Sequence, residues 1–237
     1  MSILQKIVAK TKTNLVHKKA EFPLEKIKSS LKNLKLPRGK SQDNISSKDE
    51  AIIAEIKKAS PSAGIIKEDF DPIKIAMEYE SFGASALSIL TEEDFFMGSI
   101  EYLKDVKKIT SLPILRKDFM IDEYQIYESK LIGADCILLI ASILTDQQIE
   151  DFITIAKKLE LDYLIEVHDE NELKRVDRFE DALIGVNNRN LETFEVDLNN
   201  SVRLRNSFRQ NNIFIAESGI KSREDMNYLK MNNIKVF

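Results

Sequence analysis

From residue 51 onward the sequence alternates short apolar segments with longer amphipathic ones, and this alternation constrains the fold more than any other feature. The apolar segments have the length of buried strands, and the segments between them repeat apolar residues at helical spacing. Continuously apolar strands that alternate with helices are typical of a parallel sheet covered by those helices. The predicted strands start at Ala51, Ala86, Pro113, Cys136, Tyr163, Ala182 and Ile213.

Seven strand–helix units and the beginning of an eighth predict an α/β fold of the (β/α)8 TIM-barrel class. The last segment, "NNIKVF", is interpreted as the opening of strand eight, so the barrel domain covers residues 51–237 and the chain ends within that strand. A doubly wound sheet is the rival fold. It would need a Gly-rich phosphate loop after an early strand, and the sequence has no GxGxxG or Walker motif.

Residues 1–50 are predicted to form a helical extension and a connector over the barrel mouth. A second helix of this extension begins at Pro23, and the segment "PRGKSQDNISSKDE" that follows is interpreted as a polar connector. The first helix places four apolar residues on one face: Ile3, Leu4, Ile7 and Val8.

The N-terminal extension is basic, whereas the rest of the chain is acidic. Residues 1–40 hold eleven Lys and Arg against two Asp and Glu, and residues 41–237 hold 24 against 37. A basic arm can bind nucleic acid or an anionic membrane. This one has no arginine before Arg38 and few aromatic residues for base stacking. We therefore expect the arm to pack on the acidic body, with neither nucleic acid nor membrane as a partner.

Residues that build disulfides and metal sites are scarce. The one cysteine, Cys136, lies in the apolar run "CILLIAS" and is predicted to be a core residue. The two histidines, His17 and His168, are far apart in the sequence and do not suggest a metal site. No segment has the ~18 apolar residues of a membrane span, and nothing resembles a signal peptide, so the cytoplasm is the expected location.

Most of the predicted strands end on ionisable or polar residues in otherwise apolar surroundings. In a (β/α)8 barrel these ends converge on one mouth, where the active sites of such enzymes lie. Clustered buried charges contribute little to stability but are typical of tuned acids and bases, so a functional site is favoured over a plug of salt bridges. The strand-end residues are Glu55, Lys57, Lys117, Glu166, Asn187, Arg189, Glu217 and Ser218.

Two loops extend this predicted site. In "ESGIKSRED", Ser218 and Gly219 come directly before a helix that opens near Ser222, where exposed backbone N–H groups can hold a phosphate. The loop "KKASPSAG" contains Ser60 and Gly64 and is predicted to close over a ligand.

The motif "PILRKDF" predicts the directions in which two neighbouring charged side chains point. Successive strand side chains point to opposite faces, so Arg116 should leave the mouth that Lys117 enters. We expect Arg116→Ala to affect turnover far less than a substitution of Lys117.

Five segments together resemble motifs of the indole-3-glycerol phosphate synthase family, and they occur in the family's order: "AEIKKASPSAG", "PILRKDF", "LIEVHDENEL", "IGVNNRNLETFEVD" and "IAESGI". The N-terminal helices resemble the family's extra segment over the mouth. The family converts 1-(2-carboxyphenylamino)-1-deoxyribulose 5-phosphate to indole-3-glycerol phosphate, releasing carbon dioxide and water, without a cofactor or metal. The resemblance implies a carboxy-lyase of tryptophan biosynthesis that acts on a phosphorylated small molecule. We favour a monomer.

The same resemblance implies a role for each strand-end residue. Lys117 would be the general acid that polarises the substrate ketone, and Glu166 the base for the loss of water. Both would be useful near neutral pH only if burial and neighbours shift their pKa values toward it. Glu55, the third implied catalytic residue, would orient the lysine and the substrate. The other implied roles are bonding to the substrate's polar groups by Asn187, positive charge from Lys57 and Arg189, and donation to the substrate carboxylate by Ser60. A phosphate cradle begins at Ser218 and Gly219, Glu217 lines the site beside them, and Phe119 and Leu138 would hold the anthranilate ring. The family usually has a basic residue where Ala59 stands, so anion binding in that loop would be weaker.

Two other functions remain open. A lysine at a barrel strand end is also the nucleophile of a Schiff-base aldolase, and a truncated barrel could bind a ligand without catalysis. A matched acid and base, Lys117 and Glu166, argues against a pure binder.

The family continues beyond the position of Phe237 with a Gly-rich turn and a closing helix. We therefore expect weaker phosphate binding, poorer turnover and lower stability than in an extended version.

Overall fold

Parallel strands form one curled sheet in chain order, as seen in a computed structural model that describes residues 1–32, 38–39, 41–190 and 193–237. Each strand pairs with the next one along the chain, for example Glu55 with Ser88 and Glu217 with Asn187. The strands are β1 Ile53–Ile56, β2 Ala86–Leu90, β3 Ile114–Lys117, β4 Cys136–Ile140, β5 Asp162–Val167, β6 Leu183–Asn187 and β7 Phe214–Glu217.

Val236 joins the two edges of this sheet and closes it into a barrel. It forms parallel bridges with Ala51, directly before β1, and with Ile215 of β7. The Ala216 N–H donates to the Val236 carbonyl at 3.0 Å, and the Phe237 N–H donates to the Ala51 carbonyl at 3.0 Å. The segment "NNIKVF" thus pairs with both neighbours as an eighth strand does, and the predicted (β/α)8 class is confirmed.

Helices follow the strands and cover the outside of the barrel. Most begin at a side chain that accepts a hydrogen bond from the first helical turn, including Thr145 and also Ser222, near which a helix was predicted to open. None of the helices described is long and apolar enough to cross a bilayer. The helices are α1 Ile3–Glu21, α2 Leu24–Lys32, α3 Ser41–Ser46, α4 Pro72–Ser81, α5 Ile100–Ile109, α6 Glu123–Leu131, α7 Asp146–Lys158, α8 Glu170–Val176, α9 Asn199–Ser207 and α10 Arg223–Met231.

The core has an inner and an outer layer. Inside the barrel, Cys136, Leu138 and Leu164 belong to one apolar cluster, and the prediction that Cys136 is a core residue is confirmed by its 1% exposure. Between strands and helices, a second cluster includes Ile137 and Ile165. Because successive side chains of a strand point in opposite directions, every other one faces the barrel axis. The polar side chains at the strand ends face this axis as well.

The N-terminal helix pair runs along the side of the barrel. Ile27 of α2 is fully buried against Tyr124 and Tyr127 of α6, together with Leu15 of α1. Pro23 lies just before α2 rather than in its first turn, and its carbonyl accepts from the Ile27 N–H at 3.3 Å. The apolar position Leu34, which continues the pattern of α2, lies outside the described residues, as do Pro37 and Lys40.

The connector before β1 lies at the opposite end of the barrel from the mouth. The Gln42 N–H donates to Asp162 Oδ2 at 3.0 Å, and Asn44 Nδ2 donates to the Ser85 carbonyl at 3.0 Å, both at strand starts. Ile45 is 2% exposed and closes the bottom of the inner cluster. The structure thus differs from the expectation that all of residues 1–50 lie over the mouth, because burial of Ile45 draws a short helix, α3, beneath the strands.

Candidate active site

A cavity of about 450 Å3 opens at the C-terminal ends of the strands. Its lining combines apolar side chains with charged ones, and it includes Phe119 and Leu138, the two positions expected to hold an aromatic ring. Every predicted site residue lines this cavity: Glu55, Lys57, Ser60, Lys117, Glu166, Asn187, Arg189, Glu217, Ser218 and Gly219. The predicted strand-end residues therefore lie together in the folded chain.

The centre of the cavity is an ammonium group between two carboxylates. Lys117 Nζ lies 2.8 Å from Glu217 Oε2 and 3.3 Å from Glu166 Oε2. Lys117 ends β3, Glu166 is the last but one residue of β5, and Glu217 ends β7. Together with Glu55 of β1, they come from the odd-numbered strands. Alternate strands contribute one layer of inward side chains in such barrels, which is why these four residues meet.

The pKa values of Lys117 and Glu166 are shifted away from neutrality. Burial alone would lower the pKa of Lys117, but the carboxylates of Glu217, Glu166 and Glu55 outweigh it and raise that pKa above its ordinary value. Burial alone would raise the pKa of Glu166, but Lys117, His168 and Asn187 hold it far below its usual range. The expected shift toward neutral pH is therefore not found, because the opposite charges stabilise each other more than burial destabilises them.

Glu217 fits into the site because β6 has a glycine beside it. A Cβ on Gly185 would lie 2.0 Å from Glu217 Oε1 and 2.7 Å from Leu164 Cδ2. Glu217 Oε1 is buried without a hydrogen-bond partner among the described residues. Burial and the nearby carboxylates of Glu166 and Glu55 raise the pKa of Glu217 despite the contact with Lys117.

The loop after β1 folds back as a short hairpin beside the cavity. Ala59–Ser60 pairs with Gly64–Ile65 in antiparallel register, and Ser60 Oγ accepts from the Ala63 N–H at 3.2 Å. The Ala59 N–H donates to the Phe96 carbonyl at 3.2 Å, which ties this loop to the one after β2. Before the hairpin, the Lys57 ammonium pairs with the Glu55 carboxylate of the same strand end.

The ends of β6 and β7 form the opposite wall. Asn187 Nδ2 donates to Glu166 Oε1 at 3.0 Å, while its Oδ1 accepts from the Arg189 N–H at 3.0 Å. Ser218 and Gly219 have φ values of 69° and 84°. A left-handed conformation is uncommon for a residue other than glycine, so Ser218 marks a turn held by its surroundings. Asn188 Nδ2 contributes by donating to the Ser218 carbonyl at 3.3 Å.

The N-terminal helix α1 adds an apolar side to the cavity through Ile3, Leu4 and Ile7. Ion pairs fix the helix to the loops around the mouth. Lys19 Nζ lies 2.7 Å from Asp122 Oδ2, and Lys10 Nζ lies 3.4 Å from Asp94 Oδ1. The first turns of α1 therefore enclose the cavity while its basic residues contact acidic loops.

The sequence relatives compared with this chain share one description. A profile of indole-3-glycerol phosphate synthase matches residues 4–237. The chain belongs to the indole-3-glycerol phosphate synthase family. Proteins of that name from Ruminiclostridium cellulolyticum and Campylobacter fetus are 48% and 45% identical to it. These alignments cover 96% and 99% of this chain and 88% and 91% of the relatives. As a member of this family, the chain is a carboxy-lyase of tryptophan biosynthesis.

Solved structures with little sequence similarity share the fold of this indole-3-glycerol phosphate synthase family member. A mutant tryptophan synthase alpha-subunit from Pyrococcus furiosus aligns with a TM-score of 0.61 at 15% identity, covering 80% of this chain and 86% of that one. An N-acetylmannosamine-6-phosphate 2-epimerase from Clostridium perfringens aligns with a TM-score of 0.60 at 12% identity, covering 79% and 85%. These likenesses support the barrel fold alone.

The sequence-based prediction for this family member did not include His168 and Ser88, which are polar side chains at the site. His168 Nε2 lies 3.2 Å from Glu166 Oε1, and the signal for it was its position two residues after Glu166. Ser88 of β2 lines the cavity with a buried hydroxyl that has no partner among the described residues. In the sequence, Ser88 could have been found as a polar residue at an inward position of an otherwise apolar strand. No group of three or more His, Cys, Asp or Glu side chains in the described ranges could hold a metal ion.

Arg116 lies on the other face of β3, as predicted. It is 1% exposed and points away from the cavity into the layer beneath α6. Its Nη2 donates to Glu128 Oε2 at 2.7 Å and to Asp118 Oδ2 at 3.0 Å, and its Nε donates to Thr91 Oγ1 at 3.0 Å. The directional prediction is confirmed, and these bonds give Arg116 a structural role that the sequence did not reveal.

Proposed function

We propose that the mouth of this barrel converts 1-(2-carboxyphenylamino)-1-deoxyribulose 5-phosphate to indole-3-glycerol phosphate with the residues named above. The observation that carries the proposal is the Lys117 ammonium held between Glu166 and Glu217 in the cavity. This conversion needs a proton donor for a ketone oxygen and a proton acceptor for a later dehydration. The cluster contains one group of each kind, a protonated ammonium and an ionised carboxylate, although the pKa values of both lie far from neutrality before substrate binds.

Lys117 is the general acid of this proposal. Its raised pKa keeps the ammonium protonated, so it can polarise the substrate ketone once that oxygen replaces a carboxylate as its partner. The aromatic carbon that bears the carboxylate then bonds to the carbonyl carbon, and the ketone oxygen takes the proton. Loss of carbon dioxide returns the bonding electrons to the aromatic ring.

Glu166 is the base. The hydroxyl formed in the first step takes up a second proton, the one that the overall reaction consumes from solvent, and leaves as water. A proton leaves the carbon beside the nitrogen for Glu166, which completes the indole double bond. Glu166 is ionised and 5% exposed, so it can accept this proton without competition from bulk water. Its Oε2 lies 3.3 Å from Lys117 Nζ, a distance that lets the proton return to the lysine after product formation.

Substrate binding is divided between the two walls of the cavity. Lys57 and Arg189 supply positive charge for the anionic substrate, Ser60 donates to its carboxylate, and Glu55 orients Lys57. Asn187 bonds to polar substrate groups, Ser218 and Gly219 begin a phosphate cradle, and Glu217 shares the Lys117 ammonium. Phe119 and Leu138 contact the anthranilate ring. The reaction of this proposal needs no cofactor or metal.

A Schiff-base aldolase is the rival function, and the charge state of Lys117 disfavours it. A nucleophilic lysine must be unprotonated, which requires a lowered pKa. The carboxylates around Lys117 shift its pKa in the opposite direction. Borohydride added with the substrate should therefore leave Lys117 unmodified, whereas a covalent adduct on Lys117 would support the aldolase.

We further propose that the chain acts in the cytoplasm as a monomer without a nucleic-acid or membrane partner. The support is chemical, since a doubly charged phosphate ester does not cross a bilayer unaided and must be used in the compartment where it forms. The arm's paired lysines, Lys10 and Lys19, support the absence of a polyanionic partner.

The test of the function is a fluorescence assay for the indole product. The chain is mixed with the carboxyphenylamino-deoxyribulose phosphate, and indole fluorescence and released carbon dioxide are followed together. We expect both to appear in equal amounts. A matched control is Lys104→Met, which removes a surface lysine of α5 that is paired with Glu101 and should leave the rate unchanged. Absence of both products from the unaltered chain would contradict the proposed function.

A further inference from the structure

His168 connects Glu166 with a second carboxylate on the outer side of the mouth. Its Nε2 lies 3.2 Å from Glu166 Oε1, and its Nδ1 lies 3.1 Å from Glu172 Oε2. Nε2 is closed off from solvent but is not aligned on Glu166 as a hydrogen bond requires, so that contact is an ion pair. The Nδ1 contact places a carboxylate on the other side of the ring.

The imidazole is fixed in this position by the beginning of α8. The Glu172 side chain reaches back to accept from the His168 main-chain N–H at 2.8 Å. Asp169 caps the helix by accepting from the N–H groups of Asn171 and Glu172. The His168 carbonyl accepts from Asn200 Nδ2 at 3.1 Å. His168 therefore has little freedom to turn away from Glu166.

The two carboxylates keep the ring charged. Burial alone would lower the pKa of His168, but Glu166 and Glu172 outweigh it and raise that pKa to about 10. Toward the cavity, the charged groups near Glu166 are Lys117 and, beyond it, Glu217 and Glu55. On the outer side, the groove that His168 lines also contains Asp169, Arg189, Glu195, Asp197 and Arg203.

A second cation beside Glu166 matters because the first one takes part in the reaction. Once Lys117 has given its proton to the ketone oxygen, it is neutral and no longer stabilises the Glu166 carboxylate. A buried carboxylate without a cation has a raised pKa and takes up a proton early. It could then no longer accept one from the substrate. His168 supplies a positive charge that the proposed chemistry leaves in place.

We propose that His168 is a positioning residue that keeps Glu166 fixed and ionised while Lys117 acts as the acid, and that Glu172 holds His168 in this position. The inference rests on the proposed function, because it takes Glu166 as the base. It adds His168 and Glu172 to the ten predicted site residues as groups that the reaction requires.

The kinetic test compares three variants: His168→Gln, which removes the charge, His168→Lys, which keeps it, and the control His17→Gln. His17 is exposed on α1 and is the other histidine of the chain. For His168→Gln we expect kcat to fall about tenfold or more with KM within about twofold, and the acidic limb of the kcat–pH profile to move up by about one pH unit. His168→Lys should restore much of the profile, and His17→Gln should not change it.

The two proposals fail in different ways. An active parent chain whose His168→Gln variant keeps the parent pH profile would overturn the role of His168 and leave the function intact. A parent chain without any turnover would contradict the function instead. A separate experiment, 15N NMR of the imidazoles, tests the charge on the His168 ring. The signals of the two histidines are assigned by comparison with His17→Gln. We expect a doubly protonated His168 at pH 8 that becomes neutral in Glu172→Gln, and a neutral ring at pH 7.5 in the parent chain would contradict the inference.

Discussion

At the scale of single residues, the site depends on one ammonium group shared among carboxylates from different strands. Lys117, Glu166 and Glu217 are each partly or fully withdrawn from water, and the charge on each depends on the charges of the other two. Removing one member therefore changes the protonation of the rest. Substitutions here are best interpreted from kinetics and pH dependence together, rather than from the loss of one contact.

The first prediction concerns the acid. Lys117→Met should abolish turnover, while affinity for a phosphate-bearing ligand should stay within about tenfold, because Lys117 is assigned to charge that develops in the transition state. Single-turnover assays and equilibrium titration with a substrate analogue measure the two quantities. Parent-like turnover in Lys117→Met would show that another group donates the proton.

The second prediction concerns pH and stability. The pKa of His168 is raised to about 10 in the folded chain, from an unfolded value of about 6.5. Its contribution to the free energy of unfolding is therefore fully present below about pH 6.5 and is lost as pH rises toward about 10. The thermal midpoint of the parent chain should exceed that of His168→Gln most at pH 6 and converge with it near pH 10. A difference that grows with pH would contradict the sign of this linkage.

The residue types at the strand ends made most of the site predictable from the sequence, whereas the contacts of His168 could be seen only in the folded structure. The ten predicted residues all line the cavity, because inward alternation and strand ends follow from sequence alone. Glu172 lies on the following helix, and only the turn between β5 and α8 brings its carboxylate to the imidazole. The direction of the pKa shift of Lys117 also depended on distances that a sequence does not contain. The residue roles stay predictions.

At the scale of elements, α1 is the part of the N-terminal extension that bears on the substrate. Ile3, Leu4 and Ile7 line the cavity, while Leu15 packs with α2 and α6 away from it. Deleting the whole of residues 1–40 would therefore also expose Tyr124 and Tyr127 of α6. A single substitution in the first turns of α1 separates the two effects.

The third prediction uses this separation. Ile7→Ala should raise KM by about fivefold with unchanged far-UV circular dichroism, since about 1 kcal/mol of apolar contact with the ligand is lost. The matched control is Val16→Ala on the same helix, where the side chain is 67% exposed. Equal KM values for Ile7→Ala, Val16→Ala and the parent chain would show that α1 does not contribute to substrate binding.

Elements with strong periodicity were predictable, and short ones were not. The strands and the helices around the barrel follow from apolar spacing and cap residues such as Thr145. Helix α3 has one apolar residue, Ile45, and forms because that residue is buried beneath the strands. The two-residue strands Ala59–Ser60 and Gly64–Ile65 are too short to produce an alternation. In both cases tertiary contacts decided the local structure.

At the scale of the whole molecule, the basic arm and the acidic body attract each other. Lys10, Lys18 and Lys19 of α1 pair with Asp94, Glu93 and Asp122 of the barrel loops. Part of the charge asymmetry along the sequence is thus neutralised by ion pairs within the chain.

The fourth prediction follows from this pairing. The chain should not be retained on duplex DNA at about 0.15 M salt, because Lys10, Lys18 and Lys19 of the arm are already paired with carboxylates. An electrophoretic mobility assay at low and moderate salt measures this. Strong retention that weakens steeply with salt would favour the nucleic-acid alternative.

The fifth prediction concerns Arg116 and the rate at which the chain unfolds. A guanidinium that is 1% exposed is stable only when Thr91, Asp118 and Glu128 surround it. Burying this guanidinium before its partners are in place would cost several kcal/mol. We therefore expect the network to form after the folding transition state. Arg116→Met should lower the free energy of unfolding by about 3–5 kcal/mol, almost all of it as faster unfolding, with a φ-value near zero.

Chevron plots in urea measure both rates, and Arg178→Met provides an exposed control, since its guanidinium is paired with Glu150 at the surface. Slower folding with an unchanged unfolding rate would mean that the network belongs to the folding nucleus. With the expected result, Arg116 would determine how long each molecule stays folded while leaving the time needed to fold unchanged.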